Sequence, residues 1–104
     1  MVVDHRTYTL KPGTVPQCLK LFEEEGIAIL SRHLGPPLGF YVTEIGPLNQ
    51  IVHLWGYKDV ADRARRREEL HHDKDFLAYL PKVREFIVAQ ENKLLLDAPF
   101  MMKK

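Results

Sequence analysis

Side chains with functional chemistry share one face of a predicted strand that begins at Gln50 and ends at Lys58. Because side chains alternate along a strand, His53, Trp55 and Tyr57 lie on the same face. An imidazole that titrates near neutrality, an indole donor and a phenol could line a pocket, with His53 as general base. The alternative is that the two larger rings fill the core while His53 satisfies a buried carbonyl group. We therefore take His53 as a catalytic candidate, and Trp55 and Tyr57 as ligand-binding candidates.

A second catalytic candidate, Arg67, falls on the apolar arc of a predicted helix from Val60 to about His72. A buried guanidinium needs a carboxylate, carbonyl groups or a bound anion, because leaving it unpaired is very costly. Arg67 could clamp a ligand carboxylate or enolate oxygen, and Arg63, which borders the same arc, is a ligand-binding candidate that could hold the same oxygen. The alternative for Arg67 is a structural salt bridge to Glu44 or Asp4.

Three further candidates are binding residues on the first strand and at a turn. Arg6 and Tyr8 share a strand face, and the Tyr8 hydroxyl could bond a substrate oxygen. A half-buried aromatic residue with its hydroxyl at the rim is the alternative. Asn49 could orient a ligand, although holding the turn suits its position better. Gly26 lies on an inward helix arc at a cost of about 1 kcal/mol relative to alanine, which close approach of the sheet or a ligand would explain.

The sequence predicts no metal site and no cofactor. In the run His71-His72-Asp73, adjacent side chains diverge by about 100°, so they do not share a helix face. Haem would need an inward histidine; His33, His53 or His71 could serve, and nothing in the sequence selects one. The single cysteine, Cys18, excludes an internal disulfide and fits an apolar arc as an inert thiol. Phosphate-binding and dinucleotide-binding glycine motifs are missing from the sequence.

Size and charge exclude several classes of protein. A chain of 104 residues is expected to form a single domain over residues 1–104. The 15 Lys and Arg against 14 Asp and Glu give no global attraction to nucleic acid or an anionic membrane. No apolar run could span a membrane, and the first residues, Met1 to Arg6, do not form a signal peptide. We therefore expect a cytoplasmic protein without nucleic-acid or membrane partners.

Hydrophobic periodicity and turn residues predict four strands and two helical regions. Asp59 is a predicted N-cap, and Pro81 predicts a break near Leu80 followed by another helical turn. The predicted elements are a strand over Val2 to Leu10, a helix from Thr14 to about Leu34, strands over Leu38 to Ile45 and Gln50 to Lys58 joined as a hairpin, a helix over Val60 to His72, a shorter helical stretch over Asp73 to Tyr79, and a strand over Val88 to Leu96.

This order predicts an α+β, ferredoxin-like βαββαβ domain with an antiparallel sheet and helices on one face. The two middle strands are apolar on successive residues, so both of their faces should be covered. Two helical regions leave one sheet face bare, and such an exposed apolar patch exceeds what monomers usually tolerate. We therefore predict a homodimer, in which the same face of a second copy covers the sheet.

Several separated motifs resemble the NIPSNAP family, and the resemblance covers nearly the whole chain. It is carried by Arg6-Thr7-Tyr8-Thr9-Leu10-Lys11-Pro12-Gly13, Thr43-Glu44-Ile45-Gly46-Pro47-Leu48-Asn49-Gln50, His53-Leu54-Trp55-Gly56-Tyr57, the spacing of Arg63 and Arg67, Gln90-Glu91 and Pro99-Phe100. The resemblance implies a dimeric α/β barrel. Its relatives by fold include cofactor-independent monooxygenases, small-molecule isomerases and haem-binding or haem-degrading proteins, while the family's own activity is undefined.

The leading hypothesis is a homodimer with a small-molecule pocket between the sheet and the helices of each subunit. It could catalyse proton transfer or oxygen insertion without a cofactor, with Arg67 holding an anionic oxygen and His53 moving a proton. The alternatives are a non-catalytic dimer that binds a metabolite or a protein, using helix faces or the tail Lys103-Lys104, and a haem-binding protein. A shift of one residue in register would exchange the two faces of the third strand, so the sequence does not decide which face lines the pocket.

Overall fold

The computed structural model describes residues 1–102, so the basic tail, Lys103-Lys104, lies outside the described residues. The strands of this part are β1 (Val2–Leu10), β2 (Gly39–Val42), β3 (Gln50–Tyr57) and β4 (Ile87–Leu96). The helices are α1 (Val15–Leu21), α2 (Ile27–Leu34), α3 (Val60–Leu70), α4 (Lys74–Arg84) and α5 (Pro99–Met102), and a π-helical segment, Phe22–Gly26, joins α1 to α2.

The sheet has the order β2-β3-β1-β4, and every neighbouring pair is antiparallel. β1 lies in the middle, where Arg6 is directly opposite His53, and Asp4 is opposite Trp55. Strand neighbours that are not consecutive in sequence require the helices to cross the sheet between them. The α+β, ferredoxin-like prediction is therefore confirmed.

The helix N-caps at Asp59 and Asp73 explain where α3 and α4 begin. The Asp59 carboxylate accepts a hydrogen bond from the Asp62 backbone N–H at 2.7 Å. The Asp73 carboxylate accepts from the backbone N–H of Asp75 at 2.8 Å. These bonds satisfy backbone donors that the first turn of a helix leaves without partners. The predicted cap at Asp59 is confirmed.

Two predicted boundaries were wrong. The predicted break near Leu80 does not occur, because α4 continues through Pro81 to Arg84. Tyr79 and Val83 pack into the core on either side of Pro81, and this packing offsets the backbone hydrogen bond that proline cannot donate. Strand β2 ends at Val42 rather than Ile45, since the chain turns through Gly46, where φ is +124°.

Asn49 completes the connection between β2 and β3. Its backbone is in the left-handed region, with φ at +63°, which asparagine tolerates better than most residues. Its carbonyl oxygen accepts a hydrogen bond from the Leu10 backbone N–H at 2.7 Å. Asn49 therefore occupies the turn position that the sequence favours for it, and its role in orienting a ligand stays a prediction.

Gly26, at the end of the π-helical segment, permits a close contact between this segment and helix α4. A Cβ at this position would lie 2.5 Å from the Tyr79 hydroxyl oxygen and 3.0 Å from Cδ1 of Phe22. The close approach inferred from the sequence therefore exists, and its partner is Tyr79 on α4 rather than the sheet. π-Helical insertions are frequent at functional sites, and here one directs Phe22 toward the sheet.

In the described part of the chain, no helix packs on one of the two sheet faces, and the molecule is correspondingly thin. We call it the open face; it carries Val3, His5, Thr7 and Thr9 of β1, with Tyr41, Val52, Leu54, Gly56, Glu91, Lys93 and Leu95 beside them in register. The principal extents are 44 × 36 × 19 Å. The accessible surface is 6860 Å², against roughly 6,000 Å² for a compact monomer of 12.1 kDa. The excess is on the order of 800 Å².

Length and polarity set a limit on the helices of residues 1–102. None of these helices is both long enough and apolar enough to cross a lipid bilayer.

Candidate functional site

The register of β3 places its functional side chains under the helices. Burial alternates along the strand, so His53, Trp55 and Tyr57 are buried, with 2% or less of each residue exposed. The same face of β1 carries Asp4, Arg6 and Tyr8. The sequence did not decide which face of β3 carries these side chains toward the helices. The structure shows that His53, Trp55 and Tyr57 lie on the helix-covered face.

A fully buried carboxylate, Asp4, organises the charged part of this face. Its Oδ2 accepts hydrogen bonds from Arg6 Nη1 at 3.1 Å and from Arg63 Nε at 3.0 Å. Asn92 Nδ2 lies 3.5 Å from the other carboxylate oxygen. Arg6 also donates from Nε to the Tyr8 hydroxyl at 3.0 Å. Two cations thus share one anion, which links strands β1 and β4 to helix α3.

Arg67 belongs to this cluster but has no carboxylate partner. Within residues 1–102, neither of the predicted partners, Asp4 and Glu44, forms an ion pair with it. Burial and the neighbouring charge of Arg6 lower the pKa of Arg67, while the adjacent Tyr57 phenol acts in the opposite direction. Tyr57 is near enough to perturb this pKa, yet its hydroxyl makes no hydrogen bond of ordinary geometry. The cluster has a surplus of two positive charges, since three guanidinium groups face one carboxylate.

His53 is held in one neutral tautomer. Its Nδ1 lies 2.7 Å from Trp55 Nε1, and an indole N–H can only donate. The Nδ1 atom therefore accepts, and the proton of the neutral ring is on Nε2, which is buried without a partner in the described structure. Burial and the charge of Arg6 lower the pKa of His53 to about 3, so the ring is neutral at physiological pH. A general base needs a free lone pair, whereas this ring offers a donor at Nε2.

His71 is held in the opposite tautomer at the C-terminal end of α3. Its Nδ1 lies 2.6 Å from the backbone carbonyl oxygen of Arg67, and a carbonyl can only accept. The proton of neutral His71 is therefore on Nδ1, which leaves the Nε2 lone pair free. The ring packs edge-on against Phe76 at a centroid distance of 5.2 Å.

A cavity of about 160 Å³ lies between the sheet and the helices and collects these groups. It brings together five predicted site residues: Arg6, Tyr8, His53, Trp55 and Arg67. Arg63 and Tyr57 are not part of the cavity lining. Arg63 donates a hydrogen bond to Asp4, and Tyr57 is adjacent to Arg67. The remaining wall is largely apolar and includes Phe22, Leu30, Leu34, Leu70, Phe76, Tyr79, Leu80, Val83 and Ile87, with His71, Arg84 and Gln90.

A family model described as NIPSNAP matches residues 3–102 of the chain. The chain belongs to the NIPSNAP family. A NIPSNAP family protein of unknown function from Agrobacterium tumefaciens has 46% identity and a TM-score of 0.92, with 96% of this chain and 90% of that one covered. A structure named antibiotic biosynthesis monooxygenase has a TM-score of 0.67 at 18% identity, over 95% of this chain and all of that one, and shows the shared fold alone.

Curated relatives of this NIPSNAP chain are longer proteins. A NipSnap homolog from Dictyostelium discoideum is 44% identical over 63 residues, which cover 61% of this chain and 27% of the relative. NipSnap homolog 3B from Homo sapiens is 28% identical over 99 residues, or 95% of this chain and 40% of the relative. The chain therefore spans about a quarter to two-fifths of their length.

The NIPSNAP cavity is a poor fit for haem, the cofactor that the sequence left as an alternative. Cofactor sites commonly have volumes of roughly 300 to 1,000 Å³, above the 160 Å³ found here. His53 would bind iron only as an imidazolate, because its Nδ1 is occupied by the Trp55 donor. His33 is engaged through Nε2 with Asp73 at 2.7 Å. Among the described residues, no group of three or more His, Cys, Asp or Glu could hold a metal ion.

Two site residues were missed as functional candidates from the sequence. Asp4 entered only as an alternative partner of Arg67, although its strand spacing from Arg6 could have placed it in the site. His71 entered only as a haem ligand, although its position four residues after Arg67 predicts the bond to that carbonyl. Cys18, by contrast, is buried as expected, and burial raises the pKa of its thiol to about 11, so it stays protonated.

Proposed function

We propose that this NIPSNAP chain forms a homodimer in which each subunit binds a small organic anion between its sheet and helices. The observation that carries the proposal is Arg67, a half-buried cation on the cavity wall that has no carboxylate partner among residues 1–102. A bound carboxylate or enolate oxygen would supply the missing partner. The same cavity would hold the apolar remainder of the ligand against its aromatic and aliphatic wall.

The local charge balance favours an anion over a neutral ligand. Asp4 compensates Arg6 and Arg63 only in part, and Arg67 adds a further positive charge. Like charges that are held together out of water repel more strongly than they would in solvent. An anionic oxygen beside Arg67 would relieve this repulsion, whereas a neutral ligand would leave it unchanged.

The size of the cavity limits the ligand. An apolar cavity of about 150 Å³ accommodates benzene, so a volume of about 160 Å³ suits a compound of a similar number of heavy atoms. Four-carbon carboxylates fall in this range. Butyrate is therefore a suitable probe, and butyramide is its uncharged counterpart.

Replacing Arg67 with methionine should weaken butyrate binding by about tenfold to a hundredfold, since hydrogen bonds to charged groups contribute about 1.5–3 kcal/mol. Methionine keeps the length and apolar stem of the side chain but removes the guanidinium. The affinity is measured by calorimetry, with Arg65→Met as the matched control on the same helix, because Arg65 is 62% exposed and pairs with Asp62 outside the cavity. Equal butyrate affinity in the wild type and R67M, or equal binding of butyramide and butyrate, would refute the anion site.

The homodimer is supported by the open face and by the surface area. The excess surface of on the order of 800 Å² equals one partner's share of a standard protein interface. Apolar side chains on this face include Val3, Val52, Leu54 and Leu95, and Tyr41 is 56% exposed. Glu91 and Lys93 add charges of both signs, which a two-fold axis can bring into register with their counterparts. A second copy is therefore the occupant that fits this surface.

Replacing Leu54 with aspartate should convert the dimer to a monomer, because it places a charge in the middle of the proposed interface. Sedimentation at micromolar concentration should show a wild-type particle of about twice 12.1 kDa and an L54D particle of 12.1 kDa. Leu77→Asp is the control, since Leu77 is an exposed leucine on α4, away from the open face. A wild type that sediments as a monomer would disprove the dimer.

A further inference from the structure

Two histidines border the same cavity with their free nitrogen atoms in complementary states. His53 is part of the cavity wall and carries its proton on a buried Nε2, because the Trp55 indole occupies its Nδ1 at 2.7 Å. His71 presents an unprotonated Nε2, because its Nδ1 proton is bonded to the Arg67 carbonyl oxygen at 2.6 Å. The cavity wall therefore includes a histidine with a fixed donor, a histidine with a fixed acceptor, and the cation of Arg67.

The two tautomers follow from donor and acceptor chemistry alone. An indole nitrogen carries a proton and no available lone pair, so it cannot accept from His53. A backbone carbonyl oxygen has no proton, so it cannot donate to His71. Exchanging either tautomer would break a short hydrogen bond and leave two like groups facing each other.

We infer that this site enolises a small oxo acid, with His71 as the base and His53 as the donor to the carbonyl oxygen. The inference rests on the proposed anion site, since Arg67 would hold the carboxylate of the same molecule. It reassigns the proton-accepting role predicted for His53 to His71. It also identifies the class of ligand, an oxo acid of about four carbons.

The proton transfer balances without an oxidant or a reductant. His71 Nε2 takes a proton from the carbon next to the carbonyl group, and the electron pair of that C–H bond forms the new C=C bond. The carbonyl π pair moves to oxygen, giving an enolate oxygen that accepts from His53 Nε2–H beside Arg67. Once the His71 imidazolium has exchanged its proton with solvent, transfer of the solvent-derived proton to the same carbon gives exchange, and transfer to another position gives isomerisation.

An oxo acid offers a partner to Arg67, His53 and His71 at once. The buried Nε2–H of His53 has no partner within the described residues, and an unsatisfied buried donor costs roughly 1–3 kcal/mol. A carbonyl oxygen would satisfy it, and its bond would strengthen as negative charge develops on that oxygen. A plain carboxylic acid could reach Arg67 but would leave His53 unused and would offer no acidic C–H group to His71.

Trp55 acts in this scheme as a positioning residue. It is fully buried and does not need to touch the ligand, but its N–H group decides which nitrogen of His53 carries the proton. Phe40 stacks on the same imidazole at a centroid distance of 4.7 Å and an angle of 14°, which restricts rotation of the ring. Both contacts fix the donor before any ligand arrives.

The tautomers themselves are measurable in the unmodified protein. Two-bond ¹H–¹⁵N correlation spectra at neutral pH should show His53 with a protonated Nε2 and His71 with a protonated Nδ1. Trp55→Phe should release the constraint on His53 and leave the His71 pattern unchanged. The same tautomer for both rings in the wild type would overturn the inference, whatever the outcome with any ligand.

The chemical test follows deuterium uptake at carbon 3 of 2-oxobutyrate in D₂O, measured by NMR above the buffer rate. His71→Asn keeps a donor for the Arg67 carbonyl but removes the base, and should slow exchange by about a hundredfold or more. His53→Asn keeps an acceptor for Trp55 but removes the Nε2 donor, and should slow it by on the order of a hundredfold. His72→Asn is the matched control, because His72 makes the same bond to the Glu68 carbonyl at 2.8 Å outside the cavity wall.

Calorimetry with butyrate and 2-oxobutyrate separates this inference from the anion site on which it rests. Binding of both compounds through Arg67 without exchange above the buffer rate would refute enolisation and leave the anion site standing. Failure of both compounds to bind would refute the anion site itself. Exchange that persists undiminished in H71N, while 2-oxobutyrate still binds, would exclude His71 as the base.

Discussion

Replacing Asp4 with asparagine is expected to lower the free energy of unfolding by about 3 kcal/mol or more. Asp4 is fully buried and accepts from Arg6 and Arg63, so its loss leaves two guanidinium groups without their anion. Removing one partner of a buried ion pair typically costs about 3–5 kcal/mol, because the remaining charge stays out of water. Chemical denaturation measures the difference, with Asp75→Asn as control, since the Asp75 side chain is 67% exposed and pairs with Arg32 at the surface.

The same substitution should increase the affinity for butyrate while it lowers stability. D4N removes the negative charge from the cluster and leaves three arginines to attract an anion. A ligand that binds only the folded state raises the melting temperature, so butyrate should stabilise D4N by more than it stabilises the wild type. A purely structural role for Asp4 would lower stability without any gain in affinity, and that result would contradict the anion site.

The sequence predicted the fold well because its signals are local. The cap at Asp59 and the hydrophobic periodicity define where elements begin, and each depends on residues a few positions apart. Pro81 was misjudged for the opposite reason. Its helix is maintained by core contacts of Tyr79 and Val83 with distant elements, and no local pattern reports these contacts.

The sequence predicted which side chains line the cavity more fully than it predicted how those side chains bond to one another. Alternation along strands groups His53 with Trp55, and Arg6 with Tyr8, but it does not state which face the helices cover. The pairing of Asp4 with Arg63, 59 residues away, depends on how α3 crosses the sheet. The tautomer of His53 depends in turn on the rotamers of two buried rings. These are tertiary properties, and no pattern along the chain reports that the proton of neutral His53 is on Nε2.

The stability of the protein should fall by about 2 kcal/mol as the pH is lowered from 7 to 5, because of His53 alone. In the unfolded chain this imidazole takes up a proton near its ordinary pKa of about 6.5. In the folded chain, burial and the charge of Arg6 lower the pKa of His53 to about 3, so the ring stays neutral through this range. The unfolded state therefore binds more protons between pH 6.5 and pH 3, and acid favours unfolding there.

The contribution of His53 is separated from those of the other titrating groups by comparing how steeply the free energy of unfolding changes with pH in each variant. Carboxylates such as Asp73, whose pKa is lowered mainly by its hydrogen bond with His33, lose their favourable interactions at lower pH than the window of 5 to 7. His53→Asn should flatten the dependence of unfolding free energy on pH in this window, whereas His72→Asn should leave the wild-type slope, since His72 is exposed. Only the slope is compared, so a lower overall stability of H53N does not affect the result. A parallel pair of curves for the wild type and H53N would mean that His53 takes up its proton over the same pH range in the folded and unfolded chains. An imidazolium at His53 could not accept the Trp55 N–H at Nδ1, so this result would contradict the fixed tautomer on which the enolisation of an oxo acid depends.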